Sequence, residues 1–598
     1  MPDPRAEYQR LRQLRKTAAL ALEARSRRIS SLRVLIFAAF IACLIAGFAE
    51  LIPLPWSLLP LLIFVVIAIG HESIERAHAR ALLAVGFYDR ALRRIDGRWQ
   101  EDGPGGEKLV PKRHIYAVDL DLFGEASLFT LLCTARTGGG QAKLASWLLA
   151  PATPPEIRER QAASTELRGR LTLREDLALL GGDLEITVDP KHLLDWAQAP
   201  ARFAPATRTR LRALAWIMAL AATTTVTLWL AWDLSPLPAA TILVIEALLS
   251  RRLGQATKAV TKAIEEPRRE LTVVALLLAR LGREDFGDDP RLCALQTRLV
   301  SDGIAGAKAI AALASLADWL EARRNGLFAP LAFAWMWELH CALAIERWRG
   351  RHGPSIAAWL DTLSEFEALI ALATYAYEHP ADSLPQISDP DDGALLIGDG
   401  LRHPLLPECV ANSVHLGTPL RVLMISGSNM SGKSTLLRTV GINVVLALAG
   451  AVVRAHKLRL SPLAVGATLR VEDSLREASS RFYAELNRLR SLMDSAHAAP
   501  PPLLFLLDEI FHGTNSHDRK IGAEAVIHAL VRADAVGLVT THDLALAEAI
   551  NELGERANNV HFQDEVADGR LQFDYTMRPG IVRRSNALEL MRAVGLEV

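Results

Sequence analysis

Residues 422–435 read Val-Leu-Met-Ile-Ser-Gly-Ser-Asn-Met-Ser-Gly-Lys-Ser-Thr, an apolar run followed by a glycine-bounded loop that closes on Lys-Ser-Thr. The apolar run has the length and composition of a buried strand. Gly427 to Ser434 satisfies the pattern GxxxxGK[ST], which joins a strand to a helix around a phosphate group. Its glycines let backbone N–H groups close around phosphate oxygens, and the first turn of the next helix adds positive dipole. The expected nucleotide loop is therefore Gly427, Ser428, Asn429, Met430, Ser431, Gly432, Lys433, Ser434 and Thr435. In it Lys433 reaches the β- and γ-phosphates of ATP and Ser434 ligates Mg2+.

Downstream, Leu503-Leu504-Phe505-Leu506-Leu507-Asp508-Glu509 is a second apolar strand, ending in two carboxylates. Asp508 is placed to hold Mg2+ through water and Glu509 to polarise an attacking water. A third such strand, Val536 to Thr541, ends at His542, where an imidazole can sense the γ-phosphate. The expected catalytic residues are Glu509 and His542, and the expected metal ligands Ser434 and Asp508. Short strands alternating with helical periodicity predict an α/β domain over 398–598.

The loop GSNMSGKST, with Asn429-Met430 inside it, resembles that of the MutS family of DNA mismatch-repair ATPases. The run DEIFHGTNSHD at 508–518 is similar to that family's segment after the second carboxylate. DSLREASSRFYAEL at 473–486 resembles its signature region. A looser likeness extends to 121–151 and 366–380. The resemblance implies an ABC-like homodimer with two composite ATP sites, each completed in trans by Ser480 and the Asn515-Ser516 loop. It also implies an adenine-side Asn412, a structural His403 in an Arg-His-Pro turn, and a pairing helix from Ser585 to Val594.

Departures from the pattern narrow the expectation. Cys409 stands where the family has an aromatic residue before the asparagine. Phe123-Gly124-Glu125 matches the string of the mismatch reader but opens the helical region, so it reads as coincidence. No domain before Leu120 can present such a reader, and the DNA clamp is missing. Mismatch-specific binding is not expected; nucleic acid stays an allowed partner, beside an unidentified protein. Glu346 to His352, a basic stretch with a tryptophan, reads as the solvated end of a long helix, and Arg583 and Arg584 as surface or dimer-contact charges.

Upstream, Val34 to Ala49 and Leu51 to Gly70 are uncharged runs separated by Glu50. A second pair covers Ala213 to Trp232 and Ser235 to Leu249, the latter holding Glu246. A helix needs about 20 residues to cross some 30 Å of hydrocarbon. Nine basic residues precede Val34, and Arg251, Arg252 and Lys258 follow the second pair, whereas the turns carry only Glu50 and Asp233. This asymmetry predicts two hairpins entering a lipid bilayer from the cytoplasm: a multi-pass protein of the inner (cytoplasmic) membrane with its ATPase domain in the cytoplasm. Hydroxyls of Thr223, Thr224 and Thr225 are expected to meet Glu246.

The expected fold is multidomain: membrane hairpins and an all-α core and lever, followed by the α/β phosphate-loop domain. Its parts are a basic segment (1–33), a hairpin (34–70), a connector (71–119), a helical core (120–210), a second hairpin (211–250), a helical lever (251–380), a linker (381–397) and the ATPase and dimerisation domain (398–598). Lys+Arg and Asp+Glu balance at 67 each among 598 residues, which excludes a globally basic nucleic-acid surface. Five scattered cysteines without a CxxC pair exclude a zinc or disulfide framework. The function expected is a membrane-anchored MutS-like ATPase, working as a dimer and moving lever helices. A membrane-tethered DNA-repair or recombination protein is the alternative, and an ABC-transporter-like machine fits less well.

Overall fold

The computed structural model describes residues 3–100, 103–180, 190–265, 267–301, 303–389, 393–428, 430–469, 481–498, 500–511, 516–567 and 570–582. The chain is mostly helical, with its larger sheets in the C-terminal half. It divides into two compact units. One comprises Met1–Leu132, Arg168–Gly182 and Thr374–Val598; the other comprises Cys133–Leu167 and Asp183–Ala373.

In the first unit a six-stranded sheet has the order Arg570–Pro579, Ala557–Ala567, Val422–Ser426, Val536–Thr541, Leu503–Asp508 and Ala464–Thr468. All neighbours are parallel except the Arg570–Pro579 edge. Parallel strands covered by helices on both faces need apolar side chains on both, which is why these strands read as continuous apolar runs rather than alternating ones. Register sets Ser426 beside both Thr541 and His561, and Asp508 beside Thr540. The carboxyl ends of the central strands therefore emerge at one edge, the usual ligand-binding edge of an open α/β sheet.

A four-stranded sheet precedes it, in the order Gln386–Ile387, Lys457–Leu460, Leu396–Leu401 and Asn412–Leu416. The segment 381–397 is thus more than a linker. Gln386 and Ile387 pair with Arg459 and Leu460, a partner too distant in sequence to be read locally. The boundary expected at 119/120 also shifts. Ile115 O accepts from Ala467 N (3.0 Å), and the wholly buried Asp119 accepts from Leu469 N (2.8 Å) and from Arg488. Leu120 packs on the helix Lys433–Ala449 at Gly441, where a Cβ would lie 2.6 Å from the leucine methyl. The end of the expected connector therefore belongs to the core of the six-stranded sheet's domain. Phe123 stacks on Phe129 (5.2 Å, 29°) and Gly124 O accepts from Thr130 Oγ1 (3.0 Å), so Phe123-Gly124-Glu125 is a packed turn.

The N-terminal helices run Pro4–Phe48 and Leu58–Ile95. The expected basic segment forms the first two thirds of the first helix, and about half of the expected connector forms the last two thirds of the second. Charge and apolarity report a helix's surroundings, whereas its hydrogen bonds continue from one surrounding to the next. The pair is antiparallel: Arg5 meets Asp96, Arg12 meets Asp89 at 2.5 Å, and Ser26 and Arg33 both reach His71 (2.9 and 2.8 Å). At its base the rings of Tyr88 and Tyr377 flank Tyr8 (5.9 and 5.5 Å). Glu378 accepts there from Arg94 (2.6 and 2.9 Å) and Tyr8 (3.2 Å).

Among the described residues the second unit has helices and the hairpin Val300–Ser301/Ile304–Ala305. Its apolar pair is Pro205–Trp232 and Leu237–Glu265. Among the described residues three helices are long and apolar enough to cross a membrane: Pro4–Phe48, Leu54–Ile95 and Pro205–Trp232. The expected fourth span, inside Leu237–Glu265, is not one of them. Thr223 and Thr225 donate to their own helix at Ala219 O (2.7 Å) and Ala221 O (2.8 Å), so they do not meet Glu246 as expected. A β-branched hydroxyl within reach of an i−4 carbonyl bonds locally. Glu346 to His352 lies inside the helix Trp337–Glu378 rather than at its end. Glu346, Trp348 and Arg349 are buried; Arg349 pairs with Glu346 and donates to Trp196 O and Pro200 O.

Glu378→Ala removes the carboxylate to which Arg94 and Tyr8 donate and leaves a largely buried guanidinium behind. The expected cost is about 3–5 kcal/mol, read as a lower denaturant midpoint. The paired change E378Q/R94M, which removes both charges, should recover part of that loss; a midpoint unchanged by Glu378→Ala would show the pair to be inert.

Candidate functional site

The site is assembled at the carboxyl edge of the six-stranded sheet. Gly427 and Gly432 have φ of 151° and 100°, in the region that favours glycine. A Cβ at Gly427 would come within 2.9 Å of Ser431 Oγ and 3.0 Å of Phe562 O, and one at Gly432 within 3.1 Å of the Tyr575 ring. Met430 between them projects into solvent with φ 71°. The loop hydroxyls Ser428 Oγ and Ser431 Oγ are buried with no hydrogen-bond partner among the described residues. A cradle that any side chain would fill, carrying two unsatisfied hydroxyls at a helix N-terminus, suits a phosphate-sized anion.

Lys433 opens the helix Lys433–Ala449 and is nearly buried. Its ammonium donates to Gly427 O (2.9 Å) and Ser428 O (2.8 Å) and lies 3.3 Å from Glu509 Oε1. The other carboxylate oxygen of Glu509 is 3.5 Å from His542 Nδ1. Glu509 has φ 46°, and its N–H donates to Thr540 Oγ1 (3.1 Å), while that hydroxyl donates to Asp508 Oδ1 (2.5 Å). One threonine on the neighbouring strand thus fixes both carboxylate residues. Ser434 and Thr435 are half-buried in the first helical turn. Among the described residues no cluster of three or more His, Cys, Asp or Glu side chains could hold a metal unaided.

Asn412, the residue expected on the adenine side, opens the strand Asn412–Leu416. Its amide donates to Tyr575 O (3.0 Å) and accepts from Met577 N (2.8 Å), tying the four-stranded sheet to the edge strand. That bond sets Tyr575 with its half-exposed ring beside Gly432. Tyr575 is the site residue that sequence reading missed; no local motif marks it, because only the folding back of the edge strand brings it to the loop. Cys409, where the family pattern has a ring, accepts from His403 N (3.4 Å) inside the Arg-His-Pro turn. Ser516 opens the helix Ser516–Arg532. Asn429, Ser480, Asn515, Arg583, Arg584 and the Ser585–Val594 segment lie outside the described residues.

Behind the loop, the wholly buried Asn443 donates to Arg402 O (3.0 Å) and accepts from Arg454 N (2.8 Å). The Arg454 guanidinium caps the carbonyls of His403, Pro404, Leu406 and Pro407. His403 Nδ1 accepts from Leu405 N (3.2 Å). Burial, and then the charges of Arg438 and Arg454, push the His403 imidazole down to about 4.

Residues 423–597 match the family described as MutS domain V. The likeness to the MutS family rests on this C-terminal domain. It is 35% identical over 195 residues to the endonuclease MutS2 of Thermus thermophilus, covering 32% of this chain and 25% of that protein. It is 31% identical over 248 residues to the DNA mismatch repair protein MSH3 of Phaeosphaeria nodorum (40% and 22%) and 33% over 265 residues to the DNA mismatch repair protein MutS 1 of Halobacterium salinarum (42% and 28%). The chain thus spans about a quarter of the length of these curated relatives. The matched residues take in the phosphate loop and the edge from Leu423 onward, whereas His403, Cys409 and Asn412 precede them.

His403 gives the first unit a pH dependence with a definite sign. Its folded-state pKa lies below the ordinary 6.5, so the unfolded chain takes up this proton first as pH falls. The stabilising contribution is present above pH 6.5 and is lost as pH falls towards 4. His403→Asn, which keeps an acceptor near the Nδ1 position, should flatten the acid limb of unfolding midpoint against pH by up to about 3 kcal/mol. Superimposable wild-type and variant limbs would refute the assignment.

Proposed function

We propose that this chain is a membrane-anchored ATPase of the MutS type. It binds and hydrolyses ATP as a homodimer and couples the cycle to motion of its helices. The observation that carries the reading is the convergence of Lys433, Asp508, Glu509 and His542 on the edge that also bears the glycine cradle. ATP phosphates would take the place of the loop carbonyls and Glu509 as partners of Lys433, releasing Glu509 to orient water, with His542 beside it. Ser434 directly and Asp508 through water would hold Mg2+, which neutralises charge on the transferring phosphate. The Tyr575 ring offers a flat face for the adenine, held in place by Asn412. Ser480, Asn515 and Ser516 of the second copy complete each site in this reading.

Glu509→Gln keeps the shape of the side chain and removes its charge. It should retain Mg-ATP binding while turnover falls about 10²–10⁴-fold, measured by equilibrium binding and phosphate release. Wild-type activity per chain should also fall on dilution below the dimer's dissociation constant. Parent-rate hydrolysis by Glu509→Gln would remove that residue from the chemistry.

The anchor reading is supported by the outward faces of the apolar helices. Leu35 on the first helix is 68% exposed and Leu220 on the third is 69% exposed, among many neighbours of the same kind. In water such contiguous surface costs about 25 cal/mol per Å²; against hydrocarbon it costs nothing. A tethered repair protein is the second reading. The relatives' names favour it, whereas the balanced charge and the packing of Phe123 inside its own turn do not. The chain should sediment with membranes and resist both carbonate and high salt, and cysteines placed at Glu50 and Asp233 should label from outside. Release by salt alone would turn these helices into core or partner-binding elements.

A further inference from the structure

The second unit contains a cavity of about 1090 Å³ between the helix Pro205–Trp232 and the start of the helix Trp337–Glu378. Three contacts, two from the helix Trp337–Glu378 and one from Trp335 just before it, set the two stretches antiparallel along it. Trp335 Nε1 donates to Thr223 Oγ1 (3.0 Å) at one end, Trp216 packs on His340 (4.7 Å) in the middle, and Arg208 donates to Glu346 O (3.1 Å) at the other. The lining changes character along that ladder. Arg208, Arg212, Arg347 and Arg351 converge at one end. Trp216, Leu220, Trp319, Trp335 and Trp337 line the rest. No Asp or Glu lines the cavity, and among the described residues none of the four arginines has a carboxylate partner.

Four guanidiniums gathered without a carboxylate attract anions, and planar guanidiniums suit phosphate oxygens. The apolar end continues onto the exposed face of the same helix, the third of the membrane-competent helices. Fifteen residues separate Arg208 from Thr223, about 22 Å at 1.5 Å per residue. The cavity therefore joins a cationic mouth at interfacial depth to an apolar trough running into the hydrocarbon, with tryptophans along it as at membrane interfaces. We propose that this cavity is a binding site for an anionic phospholipid of the cytoplasmic leaflet, its phosphate held by Arg212, Arg347 and Arg351 and one acyl chain lying along Trp216 and Leu220. The proposal rests on the membrane-anchored reading for the lipid's source, but not for the chemistry of the cavity. It accounts for the exposed Arg347 and Arg351 in a stretch whose other charges, Glu346 and Arg349, satisfy each other.

The test uses the full chain in non-ionic detergent and native mass spectrometry, with phosphatidylglycerol and phosphatidylcholine of equal chain length. Wild type should retain one phosphatidylglycerol with about tenfold preference. R212Q/R347Q/R351Q should abolish the preference, while R251Q/R252Q, on the neighbouring helix and outside the cavity, should keep it; a circular-dichroism spectrum and unfolding midpoint equal to wild type report intact folding of each. Brominated acyl chains on phosphatidylglycerol should quench tryptophan fluorescence in wild type and less in Trp216→Phe. A short-chain phosphatidylglycerol below its micelle concentration repeats the measurement without detergent, so a chain that proves soluble still tests the cavity. Equal retention of the two lipids, or a preference unaltered in the triple variant, would overturn the proposal. Displacement by inorganic phosphate at equal concentration would reduce the site to an anion site and overturn the lipid assignment. Loss of lipid preference in a carbonate-resistant protein would refute the cavity alone; salt release with preserved short-chain binding would refute the anchor alone.

Discussion

The candidate site depends on strand register. Val422–Ser426 lies between Val536–Thr541 and Ala557–Ala567 with Ser426 level with Thr541 and His561, and Leu503–Asp508 is set so that Asp508 faces Thr540. A slip of one residue would turn every side chain to the opposite face and separate the carboxylates from the loop. Thr540 makes the register chemical: its hydroxyl donates to Asp508 and accepts from Glu509 N–H, so one side chain orients both acidic positions. Glu509 and the loop glycines have positive φ where the chain leaves these strands.

Away from the edge, buried polar groups carry the joins within the first unit. Asp119 binds a backbone N–H and an arginine from the MutS domain, Asn443 couples the phosphate-loop helix to the Arg-His-Pro turn, and Glu378 collects Tyr8 and Arg94 at the hairpin base. Each of these groups would be expensive if left alone in a low-dielectric interior and each is met. Such contacts specify position more sharply than apolar packing, because they admit few geometries. Asp119 and Glu378 in this way tie together segments hundreds of residues apart.

The second unit shows the opposite arrangement. Its cavity gathers arginines without bringing a carboxylate to them, while nearby Arg349 is neutralised by Glu346 three residues away. Interleaved residues on one helical stretch thus have different fates: positions 346 and 349 turn inward and satisfy each other, and 347 and 351 turn towards the cavity. Reading the stretch as a charge run conceals this division, which the helical repeat imposes.

The sequence by itself determined the phosphate loop, the two carboxylates after the second strand, the His542 position and the apolar helices. In each, the chemistry is local: a glycine spacing, a strand followed at once by its functional residue, or a run long enough to span hydrocarbon. The family resemblance was legible for the same reason, since it rests on contiguous strings. Only the tertiary structure brought Tyr575 to Gly432, turned the amide of Asn412 to the edge strand, made the stretch before Leu120 part of the MutS domain's core, and paired Thr223 with Trp335 rather than Glu246. These contacts join residues whose separation along the chain carries no signal. They exist because strands must find partners for their backbone groups and buried polar atoms must find donors or acceptors, wherever in the chain those are.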